Sequence, residues 1–169
     1  IGAKSGGSMS LAMAANRPQL VQTLIGVTPP VLPAAGVDDW VKHINSKGVV
    51  DWAAHTMQGR LGTRASKAEV DWWIHNLQGK TPLSTLQSYL RWVPKLDIRE
   101  DVKRINCPTL IITTTGSGLR SVDGVKAWVS GIKPARLLIL EGDAWHAAGA
   151  YPDRCSEATL QFLAEQVNK

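Results

Sequence analysis

The most restrictive feature of the sequence is a run of small residues that leads directly into an alanine-rich stretch. Residues 1–7 read IGAKSGG, and residues 5–16 predict a helix that Arg17-Pro18 ends. Glycine and alanine leave room for a strand and a helix to meet at a tight turn. Such a turn exposes its central residue at the carboxyl edge of a sheet, above the N-terminus of the helix. The sequence therefore predicts a strand-turn-helix unit with Lys4 or Ser5 at its tip.

Strands and helices alternate in the rest of the predicted core. Apolar, β-branched segments predict strands over residues 22–27, 109–114 and 136–140, and helices are predicted over 121–130 and 151–167. Strands that alternate with helices through short links form a parallel sheet with right-handed crossovers. The predicted fold class is therefore α/β with a parallel sheet.

A helical insert, residues 34–104, interrupts this alternation once. Amphipathic patterns predict four helices in it, over 38–46, 48–58, 66–77 and 82–93. The third begins with Ser66-Lys67-Ala68-Glu69, which fits a capping box. Most of the tryptophans also lie in the insert: Trp40, Trp52, Trp72, Trp73 and Trp92. We therefore interpret residues 1–33 and 105–169 as two parts of a core domain and residues 34–104 as an all-helical unit.

Charge and composition argue against several classes of protein. The formal net charge is +5, but the basic residues are dispersed and form no electrostatic footprint for a nucleic acid. No apolar run reaches the roughly 18 residues that cross a bilayer, and no signal-peptide pattern stands at the N-terminus. Cys107 and Cys155 are too few for a disulfide framework. We expect no nucleic-acid or membrane partner, and a cytoplasmic protein with reduced cysteines.

Several segments together resemble the α/β-hydrolase superfamily. They occur in the family's order: residues 2–7, Arg17-Pro18, residues 24–27, residues 105–112 and residues 137–146. The helical insert stands where that family carries its cap. The resemblance implies an α/β-hydrolase sheet with an inserted helical cap, whose N-terminal strands lie outside this chain, and it places the catalytic histidine at His146. It also implies a cofactor-independent enzyme, such as an esterase or lactonase, acting on a small-molecule ester, lactone or C–C bond.

Two departures from the family pattern leave the identity of the nucleophile and of the acid undecided. Superposition without a gap puts Lys4 at the nucleophile position, and a shift of one residue puts Ser5 there. Ser117 stands where the family's acid is expected, although Asp123 or Asp143 could supply the charge from elsewhere. Lys4 could act as a nucleophile, a base or an oxyanion-stabilising cation, because burial near a helix N-terminus lowers the pKa of its amine.

Three classes of function follow from these departures. The first is an enzyme that attacks or polarises a carbonyl group through Lys4 or Ser5, with His146 moving the proton and lyase or isomerase chemistry open beside hydrolysis. The second is a ligand-binding protein on a hydrolase scaffold. The third, a remote alternative, is a phosphate-binding loop, because Ala3-Lys4-Ser5 precedes a helix. We also expect a complementary N-terminal segment to cover the exposed edge of the sheet. Formation of a homo-oligomer is a further possibility.

Overall fold

Four parallel strands form the sheet of the computed structural model, which describes residues 1–167. They are β1 (Gly2–Ala3), β2 (Leu24–Val27), β3 (Thr109–Thr114) and β4 (Ala135–Leu140), and their spatial order is their order along the chain. The register pairs Gly2 with Gly26, Leu24 with Thr109 and Thr109 with Ala135. The predicted parallel α/β sheet is confirmed. Its carboxyl edge carries the loops that follow all four strands.

Eight α-helices connect or cover these strands within the described residues. They are α1 (Ser5–Asn16), α2 (Val37–Leu61), α3 (Lys67–Asn76), α4 (Leu83–Trp92), α5 (Arg99–Val102), α6 (Val122–Val129), α7 (Ala147–Ala150) and α8 (Pro152–Val167). Short 3-10 turns occur at Pro18–Leu20, Gln78–Lys80 and Val93–Lys95. Among residues 1–167, no helix has both the length and the apolar character needed to cross a bilayer.

The local sequence signals account for most of these boundaries. Helix α1 spans the predicted residues, and Ser66 caps α3 with the reciprocal bonds of a capping box. Two helices were predicted where α2 runs, and Gly48 interrupts α2 between them with a φ of 86°. Helices α5 and α7 were not predicted, because four residues are too few to show a helical period.

Both faces of the central strands β2 and β3 are buried. In β3, Ile111 packs against α1 and α6, whereas its neighbour Ile112 points to the opposite face and joins the cluster that contains Phe162 of α8. Successive side chains of a strand alternate between faces, so covering both faces requires an almost continuously apolar strand. The two-sided core holds the carboxyl edge of the sheet in place.

The helices between β2 and β3 have apolar clusters of their own. Trp52 of α2 packs with Leu86 and Leu90 of α4, and Met57 of α2 packs with residues of α3. Val102 of α5, by contrast, is buried in the core beneath the sheet, although it lies within the range 34–104. The division into 1–33, 34–104 and 105–169 stays a prediction, and residues 168–169 of its last part lie outside the described residues.

The turn between β1 and α1 depends on a close approach of backbone atoms. A Cβ atom at Gly2 would overlap the carbonyl oxygen of Gly6 and would lie 2.6 Å from Oγ of Ser10. At Gly6, in contrast, a Cβ atom would meet no atom within 4 Å. Gly2 is therefore required by packing, whereas Gly6 is not.

We expect Gly2→Ala to lower the free energy of unfolding by about 1–3 kcal/mol, because the added methyl group forces strand and helix apart. Gly6→Ala is the matched control and should raise it by about 0.5–1 kcal/mol, because alanine loses less backbone entropy in a helix. Urea denaturation of the natural protein measures both. Equal effects of the two substitutions would contradict this account of the turn.

Candidate functional site

Lys4 is the single residue that connects β1 to α1. Its backbone has φ 50° and ψ −127°, a conformation that residues other than glycine rarely adopt. Hydrogen bonds hold both sides of the turn: the Lys4 N–H donates to the carbonyl of Val27, and the Lys4 carbonyl accepts from the N–H of Ser8. Strained conformations of this kind cluster at functional sites. The structure therefore presents Lys4 at the carboxyl edge of the sheet.

Ser5 lies beyond the turn, as the first residue of α1. Its hydroxyl group is 2.8 Å from the phenol oxygen of Tyr89, on α4. The residue at the helix N-cap is Lys4, and its side chain makes no capping bond. Ser5 thus connects α1 to the helices above it, and its proposed part in catalysis stays a prediction.

The amine of Lys4 lies among cations and aromatic rings. Its Nζ is 5.4 Å from the centroid of the Trp145 ring. Burial, followed by the positive charges of Arg60 and Arg120, lowers the pKa of Lys4 to about 8. Removal from water and nearby like charges both disfavour the ammonium form. At pH 7, about a tenth of the Lys4 amine is therefore neutral.

Arg60, near the end of α2, reaches from the helical unit towards the same place. Its guanidinium lies over Trp52 at 4.7 Å and over Trp145 at 5.0 Å from the ring centroids. Burial lowers the pKa of Arg60 to about 10. Its main-chain carbonyl accepts a hydrogen bond of 2.9 Å from the N–H of His146. Arg60 therefore joins the helical unit to the loop after β4.

His146 lies at the N-cap of α7. Its Nδ1 accepts a hydrogen bond of 3.2 Å from the N–H of Gly149, and its ring packs edge-on against Trp73 at 5.1 Å. Because a backbone N–H can only donate, the neutral ring carries its proton on Nε2. Burial, and next the charge of Lys4, lower the pKa of His146 to about 4. His146 is therefore neutral at physiological pH.

None of the three candidate acids hydrogen-bonds His146 within residues 1–167. Asp143 accepts two hydrogen bonds from the N–H of Thr63, at 3.1 and 3.0 Å, and Asp123 lies 3.5 Å from Lys126 on an exposed face. Ser117 lies in the loop after β3 and lines a cavity beside Lys4. Its catalytic role stays a prediction. No cluster of His, Cys, Asp or Glu in this part of the chain is arranged to hold a metal ion.

Comparison with solved structures identifies the fold. The chain superposes on structures named as carboxylesterases of Nitrososphaera gargenis (TM-score 0.83, 17% identity) and as the enol-lactonase of Burkholderia xenovorans LB400 (0.83, 16%). A structure named as an α/β hydrolase from a Medee basin deep-sea metagenome library gives 0.83 at 17% identity. These superpositions cover 96–99% of this chain. The chain has the α/β-hydrolase fold.

The similarity in fold covers only part of the length of these structures. The chain spans 63–64% of the length of those three structures. No protein-family model and no curated protein matches the sequence. In the α/β-hydrolase fold, the strand-to-helix turn presents one side chain at the top of the sheet. In this chain that side chain is Lys4.

A cavity of about 240 Å³ opens beside Lys4 in this α/β-hydrolase sheet. Its polar lining residues include Lys4, Thr28, Ser117 and Arg120, and its apolar wall includes Trp128. Thr28 follows β2 with a φ of 46°, a strained value for a β-branched residue. The cavity therefore lies between two neighbouring strained turns.

Sequence reasoning missed four residues of this site: Thr28, Arg60, Arg120 and Trp145. Thr28 and Arg120 follow β2 and β3, so their place at the carboxyl edge was available from the strand pattern. Trp145 is the neighbour of His146 in the sequence. Arg60 gave no such signal, because only the packing of α2 brings it to Lys4.

We expect Lys4→Met to stabilise the protein at pH 7 by about 1–3 kcal/mol, because it removes a poorly solvated ammonium group. The folded pKa of Lys4, about 8, is below the value of 10.5 for a free lysine. The unfolded chain therefore binds the proton more tightly, and the wild type gains stability as the pH rises from 8 to 10.5. The advantage of Lys4→Met should shrink over that window.

Urea unfolding at pH 7 and pH 9.5 measures this difference. Lys42→Met is the control, because the side chain of Lys42 is 79% exposed. It should change stability little at either pH. Destabilisation by Lys4→Met at pH 7 would contradict the burial argument.

Proposed function

We propose that this chain carries the active site of an enzyme that acts on a small carbonyl compound, with the amine of Lys4 as the reacting group. The observation that supports this most directly is the position of Lys4 at the strained turn, with its pKa lowered to about 8. The structures that share the fold include proteins named as carboxylesterases and an enol-lactonase. The fold suggests esters, lactones and C–C bonds beside a carbonyl as substrate classes, and the chemistry of the Lys4 amine selects among them.

The lowered pKa gives Lys4 its reactivity. At pH 8 about half of its amine is neutral, whereas a free lysine of pKa 10.5 is less than about 1% neutral. A neutral amine can attack a carbonyl carbon or remove a proton from the carbon beside it. An ammonium group can do neither.

The chemistry of amines favours a lyase or isomerase over an esterase. Attack of Lys4 on an ester expels the alcohol and leaves an amide, which hydrolyses far more slowly than the ester. Attack on a ketone forms an imine with loss of water, and water can reverse that step. Turnover through a covalent bond to Lys4 therefore requires a ketone or aldehyde, and C–C bond cleavage or isomerisation is the reaction that the imine promotes.

In this proposal, His146 does not act as the general base of a catalytic triad. Because its Nδ1 is occupied by the N–H of Gly149, its Nε2–H is the group available to the substrate. A neutral imidazole donates this hydrogen bond to the oxygen on which negative charge develops. The N–H groups in the first turn of α1 are further donors at the same edge.

A ligand-binding protein without turnover is the second candidate. It is favoured by the hydrogen bonds of His146, which include no carboxylate among the described residues. The phosphate-binding-loop alternative gains no support, because Lys4 alone connects β1 to α1 and no long glycine-rich loop lies between them.

Labelling of the natural protein with p-nitrophenyl acetate, followed by peptide mapping, tests the proposal. We expect an acetyl group on Lys4, added at least about tenfold faster at pH 7.5 than on the exposed Lys42 of the same sample. The rate should rise with pH and reach half its maximum near pH 8, the pKa of Lys4. Borohydride reduction in the presence of a small ketone should attach that ketone to Lys4. His146→Ala should abolish turnover.

Two results would contradict this assignment. An acetyl group on Ser5 instead of Lys4 would restore the serine mechanism. Lysine labelling without preference for Lys4, together with a ligand recovered unchanged, would favour the binding protein.

We also propose that a complementary segment covers the outer edge of β1. Among residues 1–167, β1 pairs with β2 on one side only. Near that edge lies a groove lined by exposed apolar side chains, with Ile1 76%, Met13 52% and Leu20 66% exposed. An open edge beside apolar surface promotes association. A strand and its flanking helix from such a segment would cover both.

The 169-residue chain produced alone should therefore self-associate, which light scattering after size exclusion measures. Leu20→Lys should reduce this association by placing a charge in the groove. Val50→Lys is the control, because Val50 is 46% exposed but lies on α2, away from β1. A monomer that unfolds cooperatively would argue against the proposed complementary segment.

A further inference from the structure

The end of helix α2 packs against the loop that follows β4 and carries His146. The carboxylate of Asp143 accepts hydrogen bonds of 3.1 and 3.0 Å from the N–H of Thr63, which lies just beyond α2. Earlier on α2, the carbonyl of Arg60 accepts a hydrogen bond of 2.9 Å from the N–H of His146. The helical unit donates one of these contacts and accepts the other, so hydrogen bonds in both directions join it to the loop.

Two glycines allow this close approach. At Gly62, where φ is 81°, a Cβ atom would overlap Oδ1 of Asp143. At Gly59, a Cβ atom would lie 3.1 Å from Nε1 of Trp145. A side chain at Gly62 would therefore displace the carboxylate that binds the N–H of the next residue.

This packing holds the guanidinium of Arg60 against Trp145. The guanidinium lies 5.0 Å from the centroid of the Trp145 ring, and Nζ of Lys4 lies 5.4 Å from the same centroid. After burial, Arg60 and then Arg120 are the causes that lower the pKa of Lys4. Besides burial, Tyr89 on α4 affects the pKa of Arg60, in the opposite direction. The position of the end of α2 therefore affects the charge state of Lys4.

The loop after β4 is fixed to the sheet independently of the Asp143 side chain. Oγ1 of Thr114, the last residue of β3, donates to the carbonyl of Ala144 at 2.7 Å. The N–H of Gly116 donates to the carbonyl of Gly142 at 2.8 Å. These bonds flank Asp143 and do not involve its carboxylate. Loss of that carboxylate should therefore release the end of α2 and leave the loop in place.

We propose that Asp143 is a positioning residue, which holds the end of α2 on the loop after β4 and so keeps the guanidinium of Arg60 beside Lys4. The inference rests on the proposed function, in which the amine of Lys4 reacts. It gives Asp143 a role other than that of a triad acid. The hydrogen bond from the N–H of Thr63, and to a smaller extent the charge of Arg64, lower the pKa of Asp143. Its carboxylate is therefore ionised near neutral pH.

Removal of the Asp143 carboxylate has two effects on Lys4, and they have opposite signs. Loss of a negative charge by itself favours the neutral amine and lowers the pKa of Lys4. Release of α2 admits water to Lys4 and moves Arg60 away, and both changes raise that pKa. Arg120, on the loop after β3, and His146, which is neutral at physiological pH, are not released with α2. A rise in the pKa of Lys4 therefore identifies the positioning effect.

Acetylation of Lys4 by p-nitrophenyl acetate at pH 7.5 and pH 9.5, followed by peptide mapping, tests the proposal in the natural protein and its variants. The ratio of the two rates cancels any change in access to the amine. A pKa of about 8 gives a wild-type rate at pH 7.5 that is about a quarter of the rate at pH 9.5. In Asp143→Ala we expect this ratio to fall at least about threefold, because the pKa of Lys4 rises.

Asp143→Asn is the matched variant, because it removes the same charge but keeps an oxygen that can accept the N–H of Thr63. Its ratio should stay within about twofold of the wild-type ratio. Asp39→Ala removes a carboxylate from the other end of α2, where the side chain is 82% exposed, and should leave the ratio unchanged. Hydrogen exchange of residues 59–63 should become faster in Asp143→Ala alone.

An unchanged or raised ratio in Asp143→Ala would overturn the inference, and so would an equal fall in Asp143→Asn. Failure of the proposed function gives a different result. If Asp143→Ala lowers the ratio but borohydride attaches no ketone to Lys4, the proposed function fails and Asp143 still positions α2. If a ketone is attached and the ratio does not change, only the positioning role fails. A wild-type ratio typical of a free lysine, about a hundredth, would contradict both.

Discussion

The one-residue connection between β1 and α1 is the constraint on which the rest of the site depends. A non-glycine residue in the conformation of Lys4 costs about 1–3 kcal/mol, and it persists only where the surroundings fix it. Pairing of β1 with β2 and the bonds of Lys4 to Val27 and Ser8 provide that fixation. Because strand and helix meet so closely, Gly2 must lack a side chain.

Neutral groups surround three partly buried cations that form no ion pair with a carboxylate among residues 1–167. Arg60 lies over two tryptophan rings, Lys4 lies over one of them, and Arg120 donates to three carbonyls. A cation over an aromatic face gains about 0.5–2 kcal/mol, which offsets part of the loss of water. Carbonyls and rings stabilise the cations without cancelling their charge. The site therefore keeps a positive potential that an internal ion pair would have removed.

The sequence predicted the sheet because each strand carries its own signal. The run TLIITT at 109–114 is apolar on both faces, as a central parallel strand must be, and Ser66 with Glu69 marks a helix start by local bonds alone. The site was less predictable. Arg60 reaches Lys4 only through the packing of α2, and the capping of α7 by His146 depends on a four-residue helix that no periodic pattern reveals. The strained backbone of Thr28 was not predictable either, because it follows from the tertiary contacts of the turn.

The proposed function gives the two predicted departures from the serine-hydrolase pattern one physical explanation. In a triad, the carboxylate stabilises the imidazolium that forms when histidine takes the proton of serine. In this chain burial, and next the charge of Lys4, lower the pKa of His146 to about 4, so the imidazolium is disfavoured. A histidine that stays neutral needs no acid, and a backbone N–H can hold its Nδ1 instead. With Lys4 as the reacting group, the proposed function therefore requires no carboxylate at position 117.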